Sequence, residues 1–255
     1  MSRTTLERIS SRRARARIGS QIADPGDKRR YVRALFTRVA RRYDLTNDAM
    51  SLGLHRRWKK AVVELAGIRS DDVVLDLAAG TGDLALRAAR GSRPPHCVIA
   101  GDLTAAMLHK GRRRSGAQSV RWLQCDAIDL PFRDGSVDRV LIGYGLRNFS
   151  ELDRCLAEIR RCLRPGGRLV SLDFGRADPP FLHRLYLRYL SLCTATAGWL
   201  LHRDAESYLY IPESLKRYPA QEGVAAMMQR AGFVRCGYVD FLFGTMAINF
   251  GDREG

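Results

Sequence analysis

Short, nearly unbroken apolar runs alternate along the chain with stretches whose apolar residues recur at helical spacing. Val73, Val74, Leu75 and Leu77 make a run too short for a helix and too continuous for a strand with one wet face, which predicts a central parallel strand covered on both sides. It leads into Ala78-Ala79-Gly80-Thr81-Gly82-Asp83, so a strand, a glycine turn and a helix are predicted over residues 72–90. Runs at Cys97–Gly101, Val120–Leu123, Val137–Ile142 and Arg168–Phe174 predict further strands, with helices through about Arg114 and from Glu151 to Leu163 between them. Arg164-Pro165-Gly166-Gly167 stops the second of these helices, because proline and glycine do not continue it.

Before the central strand, Val32, Leu35, Phe36 and Val39 recur at helical spacing from Tyr31 to Asp44, and a loop and second helix follow as far as Gly67. After the fifth strand, residues 181–201 are amphipathic and aromatic-rich, within a lid segment expected over 176–218. A helix near Gln221–Ala231 then leads to Val234–Phe241 and Thr245–Phe250, whose short separation predicts an antiparallel hairpin. The expected fold is α/β: a doubly wound, Rossmann-like, seven-stranded sheet with parallel strands, right-handed crossovers and the antiparallel C-terminal hairpin at its edge. That plan departs from the all-parallel dinucleotide fold and suits a class I methyltransferase.

With 255 residues, 45% of them hydrophobic, the chain supports one large α/β domain, expected over 31–255. The 43 Lys and Arg against 27 Asp and Glu give a net charge of +16, which favours anionic partners. Part of this excess lies in residues 1–30, rich in Arg and Ser and ending near Pro25-Gly26, which read as a disordered basic tail; an organelle transit peptide has the same composition. The six cysteines form no Cys-x-x-Cys pair, so reduced thiols and no metal centre are expected. No run reaches the roughly 18–20 apolar residues of a membrane-spanning helix.

The glycine turn, Gly80-Thr81-Gly82-Asp83-Leu84-Ala85, fits the permissive G-x-G-x-x-G/A pattern and so admits more than one nucleotide-like ligand. Its glycines allow a sharp bend and a close ligand approach, and the helix it opens presents amides and a positive dipole end. Asp102, about 20 residues further on and followed by Leu103, stands where a carboxylate can accept both ribose hydroxyls or cap the next helix. Asp126 and Ala127 follow the third strand, where an acid and an amide suit an adenine edge. With Pro165-Gly166-Gly167 these residues favour S-adenosylmethionine over NAD.

The chain resembles the ubiquinone/menaquinone-biosynthesis C-methyltransferases from about Val32 to Phe250. The resemblance rests on Phe36-Thr37-Arg38-Val39-Ala40-Arg41-Arg42-Tyr43-Asp44, on Met50-Ser51-Leu52-Gly53-Leu54-His55-Arg56-Arg57-Trp58-Lys59 and on Val74–Asp83. Gly145-Leu146-Arg147-Asn148, Tyr208-Leu209-Tyr210-Ile211-Pro212-Glu213-Ser214 and Met227–Phe233 complete it. It implies methylation of a polyprenyl quinol ring carbon with S-adenosylmethionine. It places cofactor contacts on Thr81, Asp102, Asp126 and Ala127, within a site that also takes in Asp76, Gly80, Gly82, Leu103 and Gly143. Gly143 stands where the family often has serine, and Ala79 where it often has glycine.

A ring carbon becomes nucleophilic once an adjacent hydroxyl loses its proton and the charge spreads to the ortho position. Arg147, permanently cationic and beyond the fourth strand, is expected to stabilise that phenolate. Tyr43, His55 and Asn148 are candidates to orient the quinol or relay its proton, while Asp76 is expected to organise the turn. Phe181, Leu182, Leu185, Tyr186, Tyr189, Leu190, Trp199 and Leu200 would wall a cleft for the isoprenoid tail, with Arg184, Arg188 and Arg203 meeting lipid headgroups. The expectation is a cytoplasmic enzyme peripheral to the membrane, with demethylmenaquinol preferred to a methoxy-polyprenyl-benzoquinol and a homodimer left open. Two alternatives stand beside it: a methyltransferase for another phenolic molecule, and an RNA-binding protein or RNA methyltransferase. Against the latter, no RNA-binding module and no Asn/Asp-Pro-Pro-Tyr block follows the fourth strand, so no nucleic-acid partner is expected.

Overall fold

The computed structural model describes residues 14–40, 51, 53–197 and 205–255. Helices α1 (residues 14–21), α2 (Pro25–Val39) and α3 (His55–Ala66) precede β1 (Val73–Leu77). Then come α4 (Asp83–Ala89), β2 (Cys97–Asp102), α5 (Ala105–Gly111), β3 (Arg121–Gln124), β4 (Val137–Gly143), α6 (Leu152–Cys162) and β5 (Leu163–Phe174). The chain finishes with α7 (Pro180–Ala197), α8 (Ala205–Leu215), α9 (Ala220–Arg230), β6 (Phe233–Phe241) and β7 (Met246–Arg253).

The strands form one seven-stranded sheet in the order β3-β2-β1-β4-β5-β7-β6. The first five run parallel, and β7 is antiparallel to both β5 and β6, as the pattern predicts. Leu75, Val140, Ile142 and Leu169 pack toward α6, while Val74, Leu141, Val170 and Leu172 pack toward Trp58, Val62 and Leu84. This two-sided cover is why the strands read as continuous apolar runs. Because β7 reverses direction, Met246 pairs with Phe174, and the turn between β6 and β7 lies at the same sheet edge as the carboxyl ends of the parallel strands.

The disordered tail expected through residue 30 is corrected over 14–30, which is helical. Asp24 accepts the Asp27 N–H at 2.9 Å and Pro25 occupies the first turn, a helix start rather than a linker end. Ile18, Ile22, Val32 and Leu35 bury against Leu209 and Tyr210, and Arg217 donates to the Gly19 carbonyl at 3.1 Å. Arginines on the outer faces mask this apolar stripe in a composition count. A second difference is that β5 begins at Leu163, ahead of Pro165-Gly166-Gly167, and pairs there with Val137 before a register shift. The helix formed by α7 and the helix α8 pack together beyond β5 in the segment expected to be a lid.

Candidate active site

The turn after β1 is held from three sides. Asp102, at the end of β2, accepts the Gly80 N–H at 2.7 Å and the Thr104 N–H at 2.7 Å, so one carboxylate ties the glycine turn to the start of α5. Burial raises its pKa, and those two N–H groups oppose the rise. Asp76 is buried beneath the turn and accepts the Ala85 N–H at 2.8 Å, and burial pushes it up to about 7. Asp83 opens α4 facing Lys59 at 2.8 Å. Burial alone would raise it, but Lys59, Arg87 and Arg114 hold it down at about 2. Gly82 has a φ of 74°, and a Cβ there would run into the Trp122 indole.

A cleft opens above this turn. Its walls include Gly80, Asp102, Leu103, Met107, Asp126, Ala127, Ile128 and Gly143, with Arg29, Val32 and Phe36 of α2 across the opening. Six expected cofactor residues therefore meet in one place: Gly80, Asp102, Leu103, Asp126, Ala127 and Gly143. Asp76, Thr81 and Gly82 are absent from its walls. The Thr81 hydroxyl lies 3.2 Å from Arg114 Nη1. Asp126 is ion-paired with Arg29, a partner that spacing around the third strand did not reveal. Lys28, one residue earlier, donates to the Phe149 carbonyl at 2.6 Å and is lowered to about 8 by burial, so α2 is anchored to the cleft rim. At Gly143 a Cβ would sit 3.0 Å from Leu84 Cδ1, so a serine there would press on α4.

Tyr144 separates this cleft from a second one and lines both. Its φ of 62° is left-handed, rare for a bulky residue and of the kind that accumulates at functional sites. The second cleft is largely apolar, with Leu54, Trp58, Phe174, Leu182, Tyr186 and Leu190 in its walls and His55, Arg147 and Thr245 among its polar groups. Its volume is about 540 Å³, and it is open to solvent. Arg147 is buried, its Nη1 donating to Asp173 Oδ1 at 2.6 Å and to the Tyr144 carbonyl at 2.9 Å, with the Phe174 ring 4.8 Å away. Its charge is thus balanced by Asp173, which also accepts the Arg147 and Phe174 backbone N–H groups at 3.2 and 2.8 Å. Asn148 lines the cofactor cleft instead, bridging the Tyr144 carbonyl and the Tyr210 hydroxyl at 2.9 Å each. Tyr43 lies outside the described residues, as do Trp199, Leu200 and Arg203.

Tyr144, Asp173, Tyr210, Arg29 and Lys59 had no role from the sequence. A tyrosine between two glycines after β4 and an acid inside the apolar run Val170–Phe174 were available signals for the first two. The first cleft fits a nucleoside carrying an amino-acid tail: a buried carboxylate for a diol, apolar Leu103, Met107 and Ile128 for a flat base, and a glycine turn for close backbone approach.

The sheet order and this site define an S-adenosylmethionine-dependent methyltransferase. A Thermotoga maritima structure described as an S-adenosylmethionine-dependent methyltransferase, possible histamine N-methyltransferase, shares the fold with a TM-score of 0.62 at 18% identity, covering 88% of this chain and 100% of that one. A phosphoethanolamine N-methyltransferase from Haemonchus contortus, solved with S-adenosylhomocysteine, aligns with a TM-score of 0.57 at 15% identity over 78% of this chain and 53% of that one. Residues 24–253 match the model of the ubiE/COQ5 methyltransferase family, and the chain belongs to it. Among its relatives are proteins named ubiquinone/menaquinone biosynthesis C-methyltransferase UbiE. That of Methylococcus capsulatus is 43% identical, covering 92% of this chain and 96% of the relative. That of Acidiphilium cryptum is 44% identical with the same coverage.

Proposed function

We propose that the protein transfers a methyl group to a ring carbon of a polyprenyl quinol, with demethylmenaquinol preferred to a methoxy-polyprenyl-benzoquinol, at the cytoplasmic surface of a membrane. One observation carries the reading: a largely apolar cleft that holds Arg147 and His55 meets the cleft of the glycine turn at one shared residue, Tyr144. The names of the relatives cover both quinone routes and support the substrate class. A small phenol would leave most of the apolar cleft unfilled, which favours a tailed substrate over the other phenolic reading.

When bound, S-adenosylmethionine supplies an electrophilic methyl group on a sulfonium and departs as S-adenosylhomocysteine. Asp102 would hold the ribose diol and Leu103, Ala127 and Ile128 the base, with Asp126 free to meet the adenine edge once released from Arg29. In the second cleft Arg147 orients the quinol oxygen and favours its anionic form by hydrogen-bond donation. Its pairing with Asp173 fixes the guanidinium and tempers its charge, so it acts as a positioned donor rather than a proton acceptor. His55 serves as the proton relay, directly or through water. The new C–C bond forms at the ortho carbon, and loss of that carbon's proton restores the aromatic ring.

The test uses the purified chain, methyl-labelled S-adenosylmethionine and a short-tailed demethylmenaquinone. Label on the ring carbon only when the substrate is reduced supports the proposal. Label on oxygen, or none with either redox form, overturns it.

A further inference from the structure

We infer that the β6–β7 turn and the outer face of α7 form a tip that inserts into an anionic bilayer and seats the mouth of the apolar cleft on it. This rests on reading that cleft as the site of a tailed quinol, and it names the element that makes the membrane contact. Among the described residues, the large apolar side chains with the highest exposure are Phe243 at 76%, Phe181 at 62%, Leu185 at 58% and Leu242 at 50%. Leu185, Leu242 and Phe243 also line the cleft, so this exposure gathers at its opening rather than scattering over the surface. A contiguous apolar rim around a cleft is the mark of an interaction surface.

The turn itself argues for a purpose. Leu242, Phe243 and Gly244 have φ values of 49°, 57° and 83°, a left-handed run that glycine and asparagine occupy at least cost. Leucine and phenylalanine stand there nonetheless, held by Gly244 N–H to the Phe241 carbonyl at 3.1 Å, Thr245 N–H to the Leu242 carbonyl at 3.2 Å and Asp178 N–H to the Phe243 carbonyl at 3.1 Å. Strain of this kind persists where the outward side chains are used. The strand register puts the tip at the carboxyl edge of the sheet, the edge that carries both clefts.

Charge identifies the occupant. Arg184 and Arg188 are exposed on α7, Arg176 is exposed before it, and Arg56 and Arg57 are exposed in the first turn of α3, whose His55 lines the same cleft. Three acids stand close to the tip, Asp178, Glu222 and Asp240, against five arginines, so the rim is basic on balance. Bulky apolar residues inside a ring of arginines suit an interface between acyl chains and anionic headgroups. No described helix is long and apolar enough to cross a membrane, and the tip is a surface device. A quinol would then pass from the acyl layer to Arg147 without its tail entering water.

The experiment is flotation of the full chain with vesicles of equal parts phosphatidylcholine and phosphatidylglycerol. Wild type should float, and Leu242→Asn/Phe243→Asn, which suits the turn's backbone, should partition roughly tenfold to a hundredfold less. Phe181→Ser should lose turnover of long-tailed quinol in vesicles and keep turnover of a short-tailed quinol in solution. Equal flotation of wild type and the double variant overturns the inference, as does a wild-type dimer that the double variant dissolves without any vesicle binding. Flotation with no methylation of any quinol would retain the tip and reject the substrate reading; methylation of soluble quinol without flotation would do the reverse.

Discussion

The two clefts that meet at Tyr144 are built on different principles. The cofactor cleft is made where β1, β2, β3 and β4 end, its shape set by backbone hydrogen bonds to Asp102 and Asp76 and by glycines, and its walls come from short contiguous segments. The apolar cleft is assembled from distant pieces: the start of α3, Arg147, Phe174, one face of α7, Ile211 of α8 and the tip between β6 and β7. The first is a fixed frame for a ligand that every such methyltransferase shares. The second draws on helices before and after that sheet as well as on its edge, and the proposed choice of substrate rests on it.

Substitutions on the two sides should therefore separate binding of cofactor from turnover. The largest effect is expected at Arg147. Arg147→Lys keeps a cation beside Asp173, avoiding a stranded buried carboxylate, yet loses the planar fork, and kcat should fall about a hundredfold or more while the Kd for S-adenosylhomocysteine stays within about threefold. A variant with wild-type kcat would remove Arg147 from catalysis. On the other side of Tyr144, Asp102→Ala removes the acceptor of two backbone N–H groups and, on the proposed reading, of the diol, and calorimetry should show cofactor affinity weakened about a hundredfold. Unchanged affinity would sever Asp102 from the ribose.

Asp76 gives a smaller, pH-dependent signal. Its folded pKa of about 7 lies above the ordinary 3.8 because it is buried, so the folded chain binds more protons and loses stability as pH rises between those values. Asp76→Asn lacks that loss. Its unfolding free energy, from denaturant titration, should gain on wild type from pH 4 to 7, on the order of a few kcal/mol in total, and the gap should level off above. A gap independent of pH would show that Asp76 does not titrate with burial. The smallest effect belongs to Arg29→Ala: freeing Asp126 from a half-exposed ion pair should tighten S-adenosylhomocysteine about threefold, whereas weaker binding would mean that Arg29 itself holds the ligand.

The same contrast explains what could be read before the fold was seen. That Gly80, Asp102, Asp126 and Gly143 gather at one cleft was legible because they follow strand ends at the spacing of a doubly wound sheet, and the five-plus-two strand plan followed from apolar runs and the short link at 242–244. Thr81 was expected beside them; its hydroxyl lies by Arg114, and it is not among the walls of that cleft. Partners across long stretches were not legible: Arg147 was expected as the cation facing the phenolate, with no partner named, and is found paired with Asp173, 26 positions away. Residues 14–30 were misread because arginine-rich composition outweighed two isoleucines and the Asp24-Pro25 helix start. Leu242 and Phe243 were read only as the short hairpin link, and nothing in the sequence marks their left-handed backbone or their exposure.

The central claim is that the appended cleft selects a tailed quinol for the shared cofactor frame. It is tested most directly by extracting quinones from a bacterial strain that lacks its quinone C-methyltransferase and carries this chain instead. Restored menaquinone, with the demethylated precursor consumed and Arg147→Lys leaving that precursor in place, is the predicted result. Precursors that accumulate unchanged while the chain is expressed and binds S-adenosylhomocysteine would contradict it.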